Sequence, residues 1–310
     1  MSSPTPASPR PSHHRPLLAL VLRLNAVVAL ATLYALVKYA GEQGLALPEI
    51  MFWRQFVPAL ALPAWLAATG RLGHLRTTMI RAHGLRSLTG MIGMVANFGA
   101  AMLLPLAVAT TFGFTTPLFA VVLGALVFRE ATGPWRWGAV ALGFAGVLVI
   151  APPGLTPISP FGAFVGLSAA LLVALVSFQI RGLGRTEHPV AIVFYFSLFG
   201  SLLMLPVQPF VVVPHPPEQW ALLVAIGAIG MVGQLLLTAS LRFGAVTSVI
   251  VMDYTSLIWS TLFGWAIWDA LPPHSTWLGA PLVIAAGLLV TWREHRLARQ
   301  PSPAAAIEGE

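Results

Sequence analysis

The stretch GMIGMVAN at residues 90–97 recurs as GAIGMVGQ at residues 227–234. Both copies are apolar, both carry glycines three residues apart, and each ends on an amide side chain, Asn97 or Gln234. Further matching segments flank them in the same order: LPEIMFWRQF (47–56) with HPVAIVFYFS (188–197), and FAGVLVI (144–150) with AAGLLVT (285–291). Matching segments in the same order in two halves of a chain predict an internal duplication.

The composition places this duplication in a membrane. Charged residues make up 9% of the 310 residues, against roughly 25% in ordinary soluble domains. The hydrophobic fraction is 57% and the mean hydropathy is +0.82. No hydrophilic block is long enough to form a separate globular domain. These values predict an all-α polytopic membrane protein.

Ten segments approach the ~20 apolar residues that a helix needs to cross a bilayer. The ten predicted spans are residues 16–38, 49–70, 88–106, 109–128, 136–152, 161–181, 189–207, 220–239, 245–268 and 276–293. The duplicated unit therefore contains five spans. Because five is odd, the second copy enters the membrane from the opposite side, which predicts two inverted five-helix repeats.

The positions of the basic residues orient the chain. With the N-terminus inside the cell, 14 of the 17 Lys and Arg residues lie in the tails or in cytoplasmic loops, as the positive-inside rule requires. The loop after the second span supplies four of them: Arg71, Arg76, Arg81 and Arg86. We therefore expect both termini in the cytoplasm.

The same reasoning divides the chain into five regions. A cytoplasmic N-terminal tail (1–15) precedes the first repeat (16–152), and an extracytoplasmic linker (153–160) leads to the second repeat (161–294). A cytoplasmic C-terminal tail (295–310) follows. Both tails are rich in Pro, Ser and Ala, a composition that predicts disorder.

Two segments carry a family resemblance. TTPLFAVVLGALVFREATGPWRWGAVALGFAGVLVI (115–150) and YTSLIWSTLFGWAIWDALPPHSTWLGAPLVIAAGLLVTWRE (254–294) each contain a span, a loop with an acidic residue and a glycine-containing span. They resemble the EamA-type ten-helix transporters of the drug/metabolite transporter superfamily, over about residues 16–294. Pro117 and Glu130 match the family pattern, whereas Ser256 and Asp269 replace its proline and glutamate in the second repeat.

The resemblance implies a secondary transporter of the bacterial inner membrane that works by alternating access. It implies a small solute, such as an amino acid, a nucleoside, a cofactor-like molecule or a drug, moved with protons or by exchange. We expect a central cavity formed by spans one to four and six to nine. Spans five and ten would support the scaffold or a dimer contact.

Asp253 is the main candidate for a coupling or solute-binding residue. It lies within the ninth predicted span, where an acid costs at least ~2.5 kcal/mol and usually pairs with another group or lines a wet path. Helical spacing places Ser256, Ser260 and Trp259 beside it. A functional role and a structural ion pair with Arg23, which lies at similar depth, are both open.

Other interior polar and aromatic residues complete the candidate solute-binding set. Asn97 and Gln234 need hydrogen-bond partners that lipid cannot offer, and each is either an interhelical tie or a solute contact. The family resemblance implies that Lys38 and Arg54 form a basic outer vestibule, although both could instead reach the headgroups. Tyr195 takes the position of Arg54 in the second repeat, and Tyr254 with Trp259 could wall the solute site.

Several other classes of function fit the sequence poorly. There is no cysteine, no Gly-x-Ser-x-Gly and no phosphate-binding P-loop motif, and all eight histidines are expected in tails or loops. We therefore predict no enzymatic activity, no cofactor and no bound metal, and an intramembrane enzyme or a channel remains the alternative. The basic residues are dispersed, so we expect membrane lipid and a small solute as partners, no nucleic acid, and a monomer or homodimer.

Overall fold

The computed structural model describes residues 16–127, 129, 133–152, 158–184, 186–243 and 251–298. This part of the chain contains helices, short 3₁₀ turns and connecting loops, and no β-strand. The predicted all-α fold class is therefore confirmed. The N-terminal tail, the centre of the predicted linker, Glu130 and the end of the C-terminal tail lie outside the described residues.

Twelve helices follow one another in the described residues. They are α1 (Pro16–Glu42), α2 (Leu47–Ala68), α3 (Ile80–Leu103), α4 (Leu106–Gly113), α5 (Thr116–Leu126), α6 (Pro134–Ile150), α7 (Pro160–Leu183), α8 (Pro189–Met204), α9 (Gln208–Val211), α10 (Pro217–Phe243), α11 (Ser256–Trp268) and α12 (His274–Ala298). A 3₁₀ turn, Val251–Thr255, leads directly into α11.

Each predicted span overlaps at least one helix of the described residues, and the described part of the ninth span begins at residue 251. Seven helical segments of the described chain are long and apolar enough to cross a membrane by length and composition. The other three predicted spans correspond to α3, to the 17-residue helix α6 and to the segment that ends in α11. The protein is a multi-pass membrane protein.

The two repeats share fine structural detail. The residues preceding α2 and α8, Ala46 and His188, have the same backbone angles, φ −69° and ψ 137°. A proline occupies the first turn of both helices, where its missing N–H costs nothing. Equivalent helices of the two halves therefore begin in the same way.

The described part of the fourth span is not one continuous α-helix in either repeat. In the first repeat a break between α4 and α5 lies at Phe114 and Thr115, and in the second repeat the described residues begin with the 3₁₀ turn, which gives way to α11 at Thr255. Thr115 and Thr255 each donate a 2.6 Å hydrogen bond from the side-chain hydroxyl to the carbonyl oxygen three residues earlier. These bonds occupy carbonyl groups beside a break, where the regular helical ladder is interrupted.

The helices pack in pairs that follow a two-fold pattern. Helix α1 packs on α10, and the repeat-related pair is α7 on α3. Two further pairs join equivalent helices of the two repeats, α2 with α8 and α6 with α12. Span five therefore packs against span ten within one chain. Gly146 and Gly279 make this last contact close, because a Cβ on Gly146 would lie 2.9 Å from the Gly279 carbonyl oxygen.

Several residues that the sequence assigns to loops or tails lie in helices. Arg81, His83 and Arg86 all lie in α3, which begins at Ile80, and His83 and Arg86 are buried there. The last helix likewise includes His295, which the sequence assigns to the C-terminal tail. Arg81, His83 and Arg86 lower the hydropathy of the start of α3, so the hydropathy pattern does not predict a helix there. His83 is buried against Glu187, and Arg86 is buried against the ring of Phe196.

Candidate functional site

A cavity of about 260 Å³ lies among α1, α3, α4, α7, α10 and α11. Its wall is mostly apolar and built from small side chains, with a few polar groups, the usual character of a solute site. The polar lining residues are Tyr34, Asn97, Thr110, Thr116, Asp253, Ser256 and Ser260. Spans one, three, four, six, eight and nine contribute lining residues, whereas spans two and seven, also expected around the cavity, contribute none.

One face of α1 forms a continuous part of the cavity wall. Val27, Leu30, Ala31 and Tyr34 line the cavity, and their spacing of three or four residues places them on one side of a helix. Tyr34 adds the aromatic ring and hydroxyl to this otherwise aliphatic face. Its ring also packs edge-on against Phe98 of α3, with ring centroids 5.9 Å apart.

The helix break of the first repeat and the 3₁₀ turn of the second meet at this cavity. Phe114 and Thr116 line it from the first repeat, and Asp253 lines it from the 3₁₀ turn of the second. Interrupted spans free backbone groups at membrane depth, which is tolerated where they border a cavity. The two segments touch each other, because Phe114 and Tyr254 pack edge to face with ring centroids 4.9 Å apart.

Asp253 forms a two-point ion pair with Arg23. The arginine Nε donates to Oδ1 at 2.6 Å, and a terminal nitrogen donates to Oδ2 at 2.5 Å. The two side chains differ in exposure: 39% of Asp253 is accessible but only 7% of Arg23. The carboxylate therefore faces the cavity while its partner lies behind it. The ion pair that the sequence left open is present, and the acid also lines the cavity.

Asn97 joins Asp253 in the cavity lining, whereas the other residues of the predicted set lie elsewhere. Tyr254 packs on Phe114, and its buried hydroxyl oxygen lies so close to Gly287 that a Cβ there would clash with it. Gln234 and Trp259 are half-buried on α10 and α11 and are not among the lining residues.

Lys38 and Arg54 have different surroundings. The Lys38 ammonium donates to the carbonyl oxygens of Leu104 at 3.2 Å and Ala101 at 3.5 Å, and it lies 5.5 Å from the Trp268 ring centroid. Arg54 is buried in α2 and donates to the side-chain oxygen of Gln55 at 2.6 Å. The described contacts of the two cations involve different partners, and the outer vestibule stays a prediction.

Tyr195 of α8 does not line the cavity, and it contacts α3 and the turn before it. Its hydroxyl donates to the carbonyl oxygen of Leu75 at 2.9 Å, and its ring centroid is 4.7 Å from that of His83. The sequence-based equivalence with Arg54 therefore does not extend to the surroundings of the two side chains.

Sequence reasoning missed Tyr34 and Thr110 as lining residues. The apolar spacing on α1 that leads to Tyr34 was a usable signal, since residues three and four apart share a face. Thr110 lies only a few residues before the helix break of the first repeat. Gly113 and Pro117 flank this break, and a proline in the first turn of a helix is the signal that could have found it.

Both halves of the chain match one known protein family. The family model described as the EamA-like transporter family matches residues 17–151 and again residues 160–292. A solved crystal structure that is 20% identical aligns over 90% of this chain and 98% of its own, with a TM-score of 0.58, a likeness of fold alone.

Three curated relatives are named transporters. The pseudopaline exporter CntI of Pseudomonas aeruginosa is 29% identical over 86% of this chain and 93% of its own. A riboflavin transporter of Vibrio cholerae is 26% identical over 93% of this chain and 97% of its own. An S-adenosylmethionine uptake transporter of Rickettsia prowazekii is 25% identical over 84% of this chain and 87% of its own. With both halves matched, the chain belongs to the EamA-like transporter family, and it is a membrane transporter and not an enzyme.

Proposed function

We propose that this transporter moves a small zwitterionic solute through the central cavity by alternating access, with Asp253 as the group that the solute engages. The observation that carries the proposal is the unequal exposure of the ion pair, with Asp253 at 39% and Arg23 at 7%. The carboxylate is accessible to a solute in the cavity, whereas Arg23 becomes accessible only when the solute displaces Asp253 from it.

The charge of the solute follows from the cost of breaking this pair. Removing one partner of a buried ion pair costs about 3–5 kcal/mol, because the other charge is left uncompensated. A purely cationic solute, or a proton on Asp253, would leave the buried Arg23 without a negative partner. A zwitterion supplies an ammonium group for Asp253 and a carboxylate for Arg23, so neither charge is stranded. One terminal nitrogen of Arg23, Nη1, is buried without a hydrogen-bond partner and would donate to the carboxylate of the solute.

The relatives are named for different solutes, and one of them is an exporter while another is an uptake transporter. Family membership therefore leaves the direction of transport open. In the proposal, Asn97 and Thr110 orient the solute opposite Asp253, and the apolar wall accommodates its side chain. The repeats rock about the cavity, with the paired helices α6 and α12 as a fixed scaffold.

The proposal includes the cellular setting. We place the protein in the inner membrane of a bacterium, with both termini in the cytoplasm, in contact with lipid and as a monomer or homodimer. The distribution of basic residues supports this orientation. The proposed repeats are residues 16–152 and 161–294.

Transport by purified protein in proteoliposomes tests the proposal. The probes are a labelled mixture of amino acids, with riboflavin and S-adenosylmethionine as separate arms. We expect saturable flux of at least one zwitterion that Asp253→Asn lowers at least ten-fold. Asp269→Asn is the matched control, because Asp269 is an exposed acid at the end of the same helix segment. Equal flux in the Asp253→Asn variant and the wild type would remove Asp253 from the mechanism.

A further inference from the structure

Two of the described glycines line the cavity, Gly113 of α4 and Gly166 of α7. Glycine within a helix is destabilising relative to alanine, so it usually serves packing, an unusual backbone conformation or function. At Gly166 it serves packing, because a Cβ there would lie 2.7 Å from the ring of Phe112. At Gly113 it does not, because a Cβ there would meet none of the described atoms within 4 Å.

The backbone conformation at Gly113 does not require glycine either. The described glycines with a positive φ are Gly44 and Gly70, both outside the helices, whereas Gly113 is the last residue of α4. Alanine or valine could therefore adopt the same backbone angles. Gly113 is itself exposed and lines the cavity, so what glycine provides at this position is open space for a solute.

The cavity wall is built from smaller side chains on the side of Gly113. Helix α7, which packs on α4, lines the cavity with Ala169 and Val173. Helix α1 is the equivalent first helix of the other repeat, and it lines the cavity at the same spacing with the larger Leu30 and Tyr34. The wall formed by α4 and α7 therefore leaves more room for apolar groups of a solute than the wall formed by α1.

The open space at Gly113 lies close to the group that engages the charge of the solute. Gly113 precedes Phe114, whose ring packs on Tyr254, and Tyr254 follows Asp253 in the chain. In an α-amino acid the ammonium, the carboxylate and the side chain branch from one carbon, so the groups that receive them must be neighbours. The cavity volume of about 260 Å³ also lies below the ~300–1,000 Å³ of typical pockets for drug-sized ligands.

We propose that Gly113 is a specificity-determining residue, which leaves room for the bulky apolar side chain of an amino-acid solute such as leucine. This inference rests on the proposed function and names its solute class. Asp253 and Arg23 engage the charged groups, and the side chain of the solute lies against α4 and α7. A side chain at position 113 would occupy this space and exclude large solutes before small ones. In a hydrophobic pocket a single methylene group changes the specificity of an enzyme by about 10–200-fold.

Flux of labelled leucine and labelled alanine into proteoliposomes tests this specificity. We expect the wild type to carry leucine, and Gly113→Val should lower leucine flux at least ten-fold more than alanine flux. Gly113→Ala should act in the same direction with a smaller effect. Gly138→Val is the matched control, because a Cβ on Gly138 of α6 also meets nothing within 4 Å and Gly138 does not line this cavity. It should leave the ratio of the two fluxes unchanged.

The possible failures can be told apart. The proposal is overturned if the wild type carries no leucine, if Gly113→Val leaves the flux ratio unchanged, or if Gly138→Val changes it equally. Leucine flux that Asp253→Asn abolishes but whose ratio Gly113→Val leaves unchanged would overturn this inference and keep the proposed function. Leucine flux that responds selectively to Gly113→Val but not to Asp253→Asn would support the role of Gly113 and refute that of Asp253.

Thiol labelling tests the position of Gly113 without a transport assay. The chain contains no cysteine, so Gly113→Cys carries a single thiol. Its reactive form is the thiolate, which water stabilises. In nanodiscs a charged methanethiosulfonate should modify Gly113→Cys at least ten-fold faster than Val108→Cys, because Val108 is fully buried in the same helix. Equal rates, or modification of Gly113→Cys by a lipid-soluble maleimide alone, would overturn the proposal.

Discussion

Arg23 and Asp253 are 230 positions apart in the sequence and meet in a two-point ion pair at the wall of the cavity. The pair joins the first helix of the first repeat to the 3₁₀ turn that precedes α11 in the second repeat. It therefore combines a structural contact between the repeats with a carboxylate that a solute can reach. These two roles can be separated by experiment.

A double-variant cycle separates them. Asp253→Leu leaves the buried Arg23 charge unpaired and should lower the free energy of unfolding by about 3 kcal/mol. Adding Arg23→Met removes that charge and should restore most of the lost stability, because a hydrophobic pair of similar size is often as stable as a buried ion pair. Thermal unfolding in detergent measures stability, and proteoliposome flux measures function. Flux should remain lost in the double variant. Its recovery together with stability would make the pair purely structural.

Asn97 and Gln234 occupy equivalent places in the duplicated stretches but differ in surroundings. Asn97 lines the cavity and Gln234 does not. Asn97→Ala should therefore raise the solute concentration for half-maximal transport about ten-fold, equivalent to about 1.4 kcal/mol of binding energy. Gln234→Ala should change stability more than apparent affinity. Transport kinetics of the two variants check this expectation, and the reverse assignment of effects would contradict it.

Two buried histidine–carboxylate pairs connect helix starts of opposite repeats. His215 Nε2 lies 2.8 Å from Glu49 Oε1, and His83 Nε2 lies 3.3 Å from Glu187 Oε2. His215→Ala should lower the free energy of unfolding by about 2 kcal/mol, because Glu49 is then buried with an unpaired carboxylate. Thermal unfolding measures the effect. His274→Ala is the control, since His274 is exposed, and an equal loss in both variants would disprove the role of the pair.

The contact between α6 and α12 depends on glycine. A Cβ on Gly279 would lie 2.5 Å from the carbonyl oxygen of Gly146 and would also meet Ile150. Gly279→Ala should therefore destabilise the fold by about 1–3 kcal/mol through overpacking. Gly138→Ala on α6 is the matched control, because a Cβ there meets nothing within 4 Å. That substitution should be neutral or stabilise by up to about 1 kcal/mol. Thermal unfolding that shows no difference between the two variants would refute the close contact.

The sequence alone determined the class of fold, because long apolar segments have few alternatives in a bilayer, where backbone groups must be satisfied within the helix. It also indicated the duplication, from stretches such as residues 90–97 and 227–234. The depth of Arg23 and Asp253 was enough to raise their pairing as a possibility, since both charges required a partner inside the membrane.

Only the tertiary structure decided which side chains face the same space. Tyr34 on α1 and Thr110 on α4 line the same cavity, although they lie on different helices and 76 positions apart in the sequence. Arg86 was assigned to a loop because charge usually marks the membrane surface. It is buried because the ring of Phe196 on α8 covers it and Gly90 on α3 has no side chain to displace it. Such positions depend on how helices from both repeats cross, and local sequence patterns do not specify those crossings.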